Sequence, residues 1–420
     1  MADDFPWPEK SGYKIRLGNI VRALAEVGEL DLFIRMPFGH TGSTAIPADT
    51  AMHRVLVVQG DPPRSTSRML LRWATTRLPR MLARADWTST RHALESWVEG
   101  PYDLVWYGHA DSIVELGGIV DAPGIVDLDN LEDQRIEHLR RARAGRRDQI
   151  RSRGRALVAR TFDRFDQHRW ARLQRRIAAR VQAVTLCSDL DRARLGTTNV
   201  EVLPNGYELP EGAPVNRPKP DPAAPVIGMV GLLTYEPNAD GVWFFLDDIL
   251  PLIRVELPGT RVKLIGRYDG FVSEVGEREG VELCGEVPDI ATALADVDVI
   301  VVPVRFGAGT RIKVLEAFAR EIPVVSTTVG CEGIPVENGG ELLIADDAAG
   351  FARACVDLVR DEALRTRVVA RGAALWQEQF RWSDLRPRIA DLANRAAAST
   401  PPAARPPAAG PPAAGPRTGG

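Results

Sequence analysis

The sequence has little cysteine, almost no lysine and no long apolar run. Its four cysteines, at positions 187, 284, 331 and 355, have no metal-type spacing and predict reduced thiols in a cytoplasmic protein. No stretch approaches the ~18 apolar residues of a membrane helix. Only five of the 53 basic residues are lysines, so abundant arginine alone indicates no function. With 420 residues and 45% hydrophobic content, the chain can form two domains with separate cores.

Short apolar stretches rich in β-branched residues alternate with helical stretches along most of the chain. This alternation predicts parallel sheets covered by helices, the α/β fold class. In the first half, the predicted strands are 30–35, 54–59, 102–107, 124–128 and 183–187. In the second half they are 226–231, 261–266, 281–285, 299–304, 323–327 and 341–344, with helices from about 347 to 395.

Proline-rich stretches divide the chain. Five prolines lie between the Asn205-Gly206 turn and residue 225, so 205–225 is predicted to be a linker between domains 1–204 and 226–395. The tail, 396–420, consists almost entirely of Ala, Pro and Gly without an apolar period, and it is predicted to be disordered.

One strand–turn–helix unit, 299–318, carries the strongest functional signal. Gly307 and Gly309 permit a tight turn with uncovered amides, and Thr310 is predicted to cap the helix that follows. A helix N-terminus after such a turn attracts anions. Arg311 and Lys313 add cations where the helix dipole alone would prefer acids, which indicates a phosphate or diphosphate between them.

Glu316 lies three residues after Lys313, so the two share a helix face. The unit thus offers a diphosphate clamp with a carboxylate that could accept hydrogen bonds from sugar hydroxyls. The alternative is an ordinary strand-to-helix connection, since glycine-rich turns of this kind are common.

The stretch 302–327 resembles the donor site of family 4 glycosyltransferases, which have the two-domain GT-B fold. In that family a glycine turn and a basic helix hold the diphosphate of a nucleotide sugar, and a following glutamate holds the ribose. The resemblance implies that Arg311 and Lys313 stabilise the leaving diphosphate and that Glu316 binds the ribose. The family's glycine turn corresponds to Gly309 and Thr310 here, which implies that these two residues also bind the donor.

The resemblance continues along the second half of the chain. The segments 228–231 and 235–238 resemble the family's first strand and loop, which implies donor contacts at Gly231 and Asn238. The strand 281–287 resembles the one whose end contacts the nucleobase, which implies roles for Gly285 and Val287. The loop 330–334 resembles the one that closes the site. Many members carry an additional glutamate where this chain has Ala308, although a subgroup with Gly-Ala-Gly-Thr-Arg-Ile-Lys turns shows the same replacement.

The first half supplies candidates for the acceptor side. The loop 5–16 resembles the family's first loop, whose glycine, here Gly12, lies beside the donor phosphates; the alternative is an ordinary loop-to-helix junction. His109 follows a predicted strand and resembles a family histidine that reaches the donor sugar, although a polar residue at the rim is the simpler interpretation. Arg16 is a further acceptor-side candidate. Asp127 and Asp129 end the next strand, where either could act as a base or cap a helix.

The segment 135–180 is strongly basic, with sixteen arginines, four acidic residues and a net charge of +12 in a chain whose total charge is −3. It is interpreted either as a solvated helical hairpin or as a surface that docks on anionic membranes or a lipid-phosphate acceptor. Nucleic acid is disfavoured because no recognition motif accompanies the charge.

These features predict a cytoplasmic GT-B enzyme, also able to bind the inner face of the membrane, that transfers a sugar from a nucleotide diphosphate sugar to a hydroxyl acceptor. The resemblance implies retention of anomeric configuration and neither cofactor nor metal. The products would belong to polysaccharides, glycolipids or glycosylated metabolites. The alternatives are a sugar-nucleotide epimerase and, because of Ala308, a non-catalytic GT-B subunit.

Family members begin with an apolar strand directly before the first loop, whereas only Met1 to Asp4 precede it here. In a doubly wound sheet the first strand is central. We therefore expect an earlier start codon, followed by roughly six to ten further residues that are mostly Val, Leu and Ile. Alternatively, residues 1–4 form the stub of a shortened strand, or another segment fills the gap.

Overall fold

A computed structural model describes residues 1–399 except 10, 41–44, 48–49, 146–152, 211–219 and 308–310. Side chains are also not described for 141–160, 271 and 273. The predicted Thr310 and Gly309 contacts, Ala308, most of the linker and almost all of the tail therefore lie outside the described residues.

Parallel strands form the first half of the fold. A two-stranded pair, β1 (Asp31–Met36) and β2 (Arg54–Gln59), lies beside a four-stranded sheet with order β3-β4-β5-β6. The strands of this sheet are β3 (Val105–Gly108), β4 (Gly124–Asp129), β5 (Ala183–Leu186) and β6 (Val200–Val202). The prediction included all of these strands except β6, which is only three residues long.

Met1 and Ala2 lie between β1 and β3. The Ala2 amide donates to the Phe33 carbonyl at 2.8 Å, and the Gly108 amide donates to the Met1 carbonyl at 2.8 Å. A cavity of about 540 Å³ adjoins these two residues, with apolar lining from α1 (Gly12–Ala25), β1 and β3. The two residues therefore occupy a central position in the sheet, and the expected upstream strand stays a prediction.

The second half contains a six-stranded parallel sheet with order β12-β11-β10-β7-β8-β9. Its strands are β7 (Val226–Val230), β8 (Arg261–Ile265), β9 (Val281–Gly285), β10 (Val299–Val302), β11 (Val324–Ser326) and β12 (Leu343–Ile344). This order is that of a doubly wound fold. Successive strands are added on one side of β7 as far as β9 and then on its other side from β10 onward, so the switch point lies between β7 and β10. Ligands of such sheets bind in the crevice at the carboxyl ends of the strands that flank this switch point.

Helices cover the sheets. In the first half, after α1, they are α2 (Thr66–Thr76), α3 (Arg80–Arg84), α4 (Thr88–Trp97), α5 (His109–Leu116), α6 (Glu132–Gly145), α7 (Arg153–Ala178) and α8 (Asp189–Leu195). In the second half they are α9 (Glu236–Phe244), α10 (Leu250–Glu256), α11 (Gly270–Ser273), α12 (Ile290–Leu294), α13 (Ile312–Ala319), α14 (Ala348–Arg360), α15 (Glu362–Gln379) and α16 (Trp382–Ala397). Among the described residues, no helix is long and apolar enough to cross a bilayer.

The last helix, α16, crosses from the second half of the chain onto the first. Its buried Trp382, Leu385 and Ile389 pack with Ile20 of α1 and with the first-half sheet. Two further cores lie on the two faces of the second sheet. The α/β prediction with parallel sheets is therefore confirmed, and the two halves share one helix.

Candidate functional site

Three glycines end adjacent strands at the crevice edge of the second sheet. Gly231, Gly266 and Gly285 follow or end β7, β8 and β9, and their φ values are 146°, 137° and 71°. L-residues rarely adopt such angles, and a Cβ on Gly266 would lie 1.8 Å from the Gly231 carbonyl oxygen. The strand ends thus form a low rim that a ligand can approach. Gly231 and Gly285 were predicted, whereas Gly266 was missed; Val287, just beyond β9, packs partly buried against the core.

Lys313 and Asn238 meet above Gly231. The Lys313 Nζ donates to Asn238 Oδ1 at 2.7 Å, and Asn238 Nδ2 donates to the Leu232 carbonyl at 2.8 Å. A Cβ on Gly231 would lie 3.0 Å from Nζ, so a side chain here would crowd the ammonium group. The structure therefore brings together three of the predicted donor residues from β7, α9 and α13.

Arg311 occupies the N-cap position of α13, and the predicted cap, Thr310, lies outside the described residues. The Arg311 side chain accepts no backbone hydrogen bond from the described part of the helix at this position. Its guanidinium lies close to Gly307, where φ is 122° and a Cβ would lie 2.8 Å from Nη2. Burial lowers the pKa of Arg311. Burial and the adjacent Arg311 together lower the pKa of Lys313 to about 7. Burial disfavours the charged forms of these two neighbouring cations, and a bound anion would stabilise them.

Glu316 lies one turn further along α13. Its Oε1 accepts hydrogen bonds from the Tyr207 hydroxyl at 2.8 Å and from Arg320 Nε at 3.2 Å. Tyr207 and Arg320 were not predicted to belong to the site, because nothing local to either residue indicates a contact with Glu316.

The first half of the chain forms the opposite wall. A Cβ on Gly12, at the start of α1, would lie 2.9 Å from Ile312 Cδ1, so the N-termini of α1 and α13 approach closely. His109 starts α5 with φ 66°, stacks on Tyr13 at 4.2 Å and donates from Nδ1 to Asp3 Oδ2 at 2.9 Å. Gly12 therefore lies close to the N-terminus of α13, and His109 contacts Tyr13 of the helix that begins at Gly12, whereas Asp3 was not among the predicted residues.

The charged groups around His109 shift one another's pKa values. Burial alone would lower the pKa of His109, but Asp3 raises it to about 10. Burial and Asp3 raise the pKa of Asp111 to about 7. Asp3, His109 and Asp111 each offer a ligand atom within 4.8 Å of the others. Such a group could hold a metal ion or exchange protons, although a protonated histidine disfavours metal binding.

Arg16 and Asp127 do not face an acceptor. Arg16 is fully buried and donates to both Asp127 oxygens, at 2.8 Å from Nε and 2.7 Å from Nη2. Asp129 Oδ1 accepts from Cys187 Sγ at 2.8 Å and from Asn205 Nδ2 at 3.0 Å. The assignment of Arg16 and Asp127 to the acceptor is therefore corrected, because both are buried between the first sheet and residue 205. The acceptor-side role of the partly exposed Asp129 stays a prediction.

The two walls are also in direct contact. His138 on α6 donates from Nδ1 to the Gly307 carbonyl at 2.6 Å, and Nδ1 lies 3.5 Å from Glu332 Oε2. Arg194 on α8 donates to Glu332 Oε1 at 2.6 Å. Glu332 lies in the predicted closing loop, 330–334, and these contacts join that loop and the glycine turn to the first half of the chain.

Known proteins resemble this chain in sequence and in fold. The family model described as "Glycosyl transferases group 1" matches residues 224–361. A phosphatidyl-myo-inositol mannosyltransferase of Mycobacterium leprae is 28% identical over 207 residues, covering 46% of this chain and 55% of the relative. The lipopolysaccharide core biosynthesis glycosyltransferase LpsE of Rhizobium meliloti is 33% identical over 155 residues, covering 34% and 44%. These matches span about half the length of the curated relatives.

Solved structures match along almost the whole chain. Sucrose-phosphate synthase from Thermosynechococcus elongatus has a TM-score of 0.66 at 17% identity, covering 94% of this chain and 97% of the other. Anabaena HepE in complex with UDP has a TM-score of 0.60 at 13% identity, covering 94% and 98%. The chain thus has the GT-B fold, and its residues 224–361 match the group 1 glycosyltransferase model.

Proposed function

We propose that the protein transfers a sugar from a nucleoside diphosphate sugar to a hydroxyl acceptor. The observation that carries this proposal is the pair of cations, Arg311 and Lys313, at the N-terminus of α13 and above the glycine rim. The pair lies at the switch point of the second sheet, where doubly wound folds bind nucleotides. The UDP complex of the structurally similar HepE supports a nucleoside diphosphate as ligand.

Electrostatic stabilisation would supply most of the catalysis. As the bond between the sugar and the diphosphate breaks, negative charge grows on the departing phosphate. Arg311, Lys313 and the amides of α13 face that charge in a fixed arrangement. The acceptor oxygen forms the new glycosidic bond, and its proton leaves with the diphosphate. His109, held protonated by Asp3, would add a positive group on the opposite wall. Retention of configuration, implied by the family resemblance, is part of this proposal, as is the lack of a required metal.

A thermal-shift screen with UDP, GDP, TDP and their sugars tests donor binding. A ligand that binds only the folded state stabilises that state and therefore raises the melting temperature. At a ligand concentration of a hundred times Kd the stabilisation is about 2.7 kcal/mol. We expect one nucleoside diphosphate to stabilise the protein and its sugar conjugate to be consumed. A screen in which none of the nucleotides raises the melting temperature would contradict the proposal.

A sugar-nucleotide epimerase is the second candidate. Such an enzyme needs carboxylate and histidine acid–base groups in the cleft, and Asp3, His109 and Asp111 do lie together there. Product analysis separates the two functions, since an epimerase returns an isomerised donor whereas a transferase releases nucleoside diphosphate.

We also propose that the acceptor is lipid-linked and that the protein docks on anionic membranes. The named functions of the mannosyltransferase and LpsE relatives support such an acceptor. In addition, no residue of α2 is fully buried, and its Leu71 is 67% exposed. Phe165 of α7, 56% exposed, belongs to a helix that contacts α2 through the tilted ring pair Trp73 and Phe162.

Exposed arginines lie on the same two helices and on α3. Arg68 of α2 and Arg84 of α3 are exposed, as are three arginines of α7: Arg164, Arg172 and Arg176. Apolar side chains with flanking cations are typical of surfaces that enter the lipid interface. The basic residues would contribute about 1 kcal/mol each near an anionic surface.

Co-sedimentation with phosphatidylglycerol-containing vesicles tests the docking. We expect binding at low salt that weakens as salt rises, and loss of binding in a variant with Arg164, Arg172 and Arg176 changed to Glu. Leu71→Ser should weaken binding, whereas the control Val255→Ser, at an exposed valine of α10, should not. If the wild type fails to sediment at low salt, the basic segment is a solvated hairpin.

A further inference from the structure

Glu316, the proposed ribose ligand, has one carboxylate oxygen already engaged. The Tyr207 hydroxyl and Arg320 Nε both donate to Oε1, whereas no described residue donates to Oε2. The carboxylate is therefore fixed in rotation, with one oxygen free of hydrogen bonds from the described part of the chain.

Arg320 determines the direction of this network. Its side chain is 1% exposed, and its Nη2 donates to the Tyr207 hydroxyl oxygen at 2.8 Å. The hydroxyl oxygen thus accepts from Arg320, so its own hydrogen points to Glu316. Burial and Glu316 raise the pKa of Tyr207, which keeps this hydroxyl a donor over the working pH range.

The backbone of Tyr207 is fixed as well. Its amide donates to the Phe380 carbonyl at 2.8 Å, and Trp376 Nε1 donates to its carbonyl at 2.9 Å. A Cβ on the preceding Gly206 would lie 2.9 Å from the Phe380 carbonyl oxygen, so this segment packs tightly against the junction of α15 and α16. Tyr207 therefore presents its hydroxyl to Glu316 from a rigid support.

We propose that Tyr207 and Arg320 are positioning residues that orient Oε2 of Glu316 toward the ribose hydroxyls of a nucleoside diphosphate. The inference rests on the proposed donor site and goes beyond it, because it assigns discrimination between ribose and deoxyribose to two residues outside the diphosphate clamp. A carboxylate fixed by a buried guanidinium and a tyrosine loses less rotational freedom when it binds a hydroxyl. The two residues therefore favour ribose over deoxyribose without touching the nucleotide.

Calorimetry on the full chain tests this role. The probes are inorganic pyrophosphate, the tighter binding of UDP and GDP, and the 2′-deoxy and 3′-deoxy forms of that nucleotide. Tyr207→Phe should weaken the ribonucleotide about tenfold, the effect of one hydrogen bond to a charged group. The same variant should leave pyrophosphate affinity unchanged and reduce the preference for ribose over at least one deoxyribose.

Three further variants exclude a general structural effect. Tyr102→Phe removes a comparable hydroxyl-to-carboxylate bond, 2.8 Å to Asp31, from the first half of the chain and should change none of the affinities. Arg320→Lys should reproduce the loss of ribose preference. In a Glu316→Gln background, Tyr207→Phe should have no further effect on that preference, since both changes disrupt the same contact.

The possible outcomes distinguish this inference from the donor assignment. Equal losses of nucleotide and pyrophosphate affinity in Tyr207→Phe would overturn the positioning role. Unchanged ribose preference in Tyr207→Phe and Arg320→Lys would overturn it while leaving the diphosphate clamp intact. A wild type that binds neither pyrophosphate nor nucleotide would overturn the proposed function and this inference together.

Discussion

Lys313 should destabilise the ligand-free protein in a manner that depends on pH. Burial and Arg311 lower its pKa to about 7, below the ordinary 10.5 of the unfolded chain. Protonation is therefore less favourable in the folded state. The penalty is fully present below pH 7, shrinks as pH rises from 7 to 10.5, and is absent when both states are neutral.

The change that removes this penalty is Lys313→Met. One pKa unit corresponds to about 1.4 kcal/mol, but water reaches the partly exposed side chain and reduces the effect. We therefore expect the difference in unfolding free energy between Lys313→Met and the wild type to change by about 1–2 kcal/mol between pH 6 and pH 9. Loss of the hydrogen bond to Asn238 costs about 1 kcal/mol at every pH and leaves this slope unchanged. The variant should accordingly gain stability relative to the wild type as pH falls.

Thermal and urea unfolding at pH 6, 7.5 and 9, with and without the nucleoside diphosphate that binds, measures both effects. The nucleotide should stabilise the wild type, whereas Lys313→Met should lose at least tenfold in affinity. Lys263→Met is the matched control, because it removes a lysine of the same domain that pairs with Asp296 at 2.8 Å. A difference between Lys313→Met and wild type that is constant from pH 6 to pH 9, with unchanged nucleotide affinity, would refute the reasoning.

Three other predictions follow from the walls of the cleft. Arg311→Ala should weaken nucleotide and pyrophosphate equally, by about tenfold or more in calorimetry, whereas Glu316→Ala should weaken only the nucleotide. Glu332→Gln removes the charge that pairs with Arg194, so small-angle scattering should report a larger radius of gyration; an unchanged radius would indicate that other contacts maintain closure. The raised pKa of His109 means that its pair with Asp3 contributes stability below pH 6.5 that is lost as pH rises through 10. The unfolding free energy of His109→Gln should therefore fall furthest below wild type at pH 6, and equal deficits at pH 6 and pH 10 would contradict this.

The sequence predicts the strands well because each is a short apolar run between clear breaks. All eleven predicted strands are present, with ends shifted by up to three residues, as at β3, which begins at Val105. The missed strand, β6, has only one fully buried residue among three, so it carries almost no periodic signal. The order β12-β11-β10-β7-β8-β9 required the structure, since it depends on pairings between distant segments.

The residues of the proposed diphosphate clamp could be chosen from the sequence because they lie close together along the chain. Arg311, Lys313 and Glu316 lie on one helix, and the glycines precede it. In contrast, the partners of Asp127 and Glu316 are remote: Arg16 is 111 residues from Asp127, and Tyr207 is 109 residues from Glu316. Local sequence gives carboxylates at strand ends but not the cations that neutralise them. The acceptor assignment of Asp127 was wrong for this reason.

The most direct test of sugar transfer is mass spectrometry of reaction products. The protein is incubated with UDP- and GDP-sugars together with a bacterial membrane lipid extract, and both nucleotides and lipids are then analysed. The predicted result is free nucleoside diphosphate from one donor, a lipid heavier by one sugar residue, and neither product with Lys313→Met. Recovery of an isomerised donor, or of every donor and lipid unchanged, would contradict glycosyl transfer.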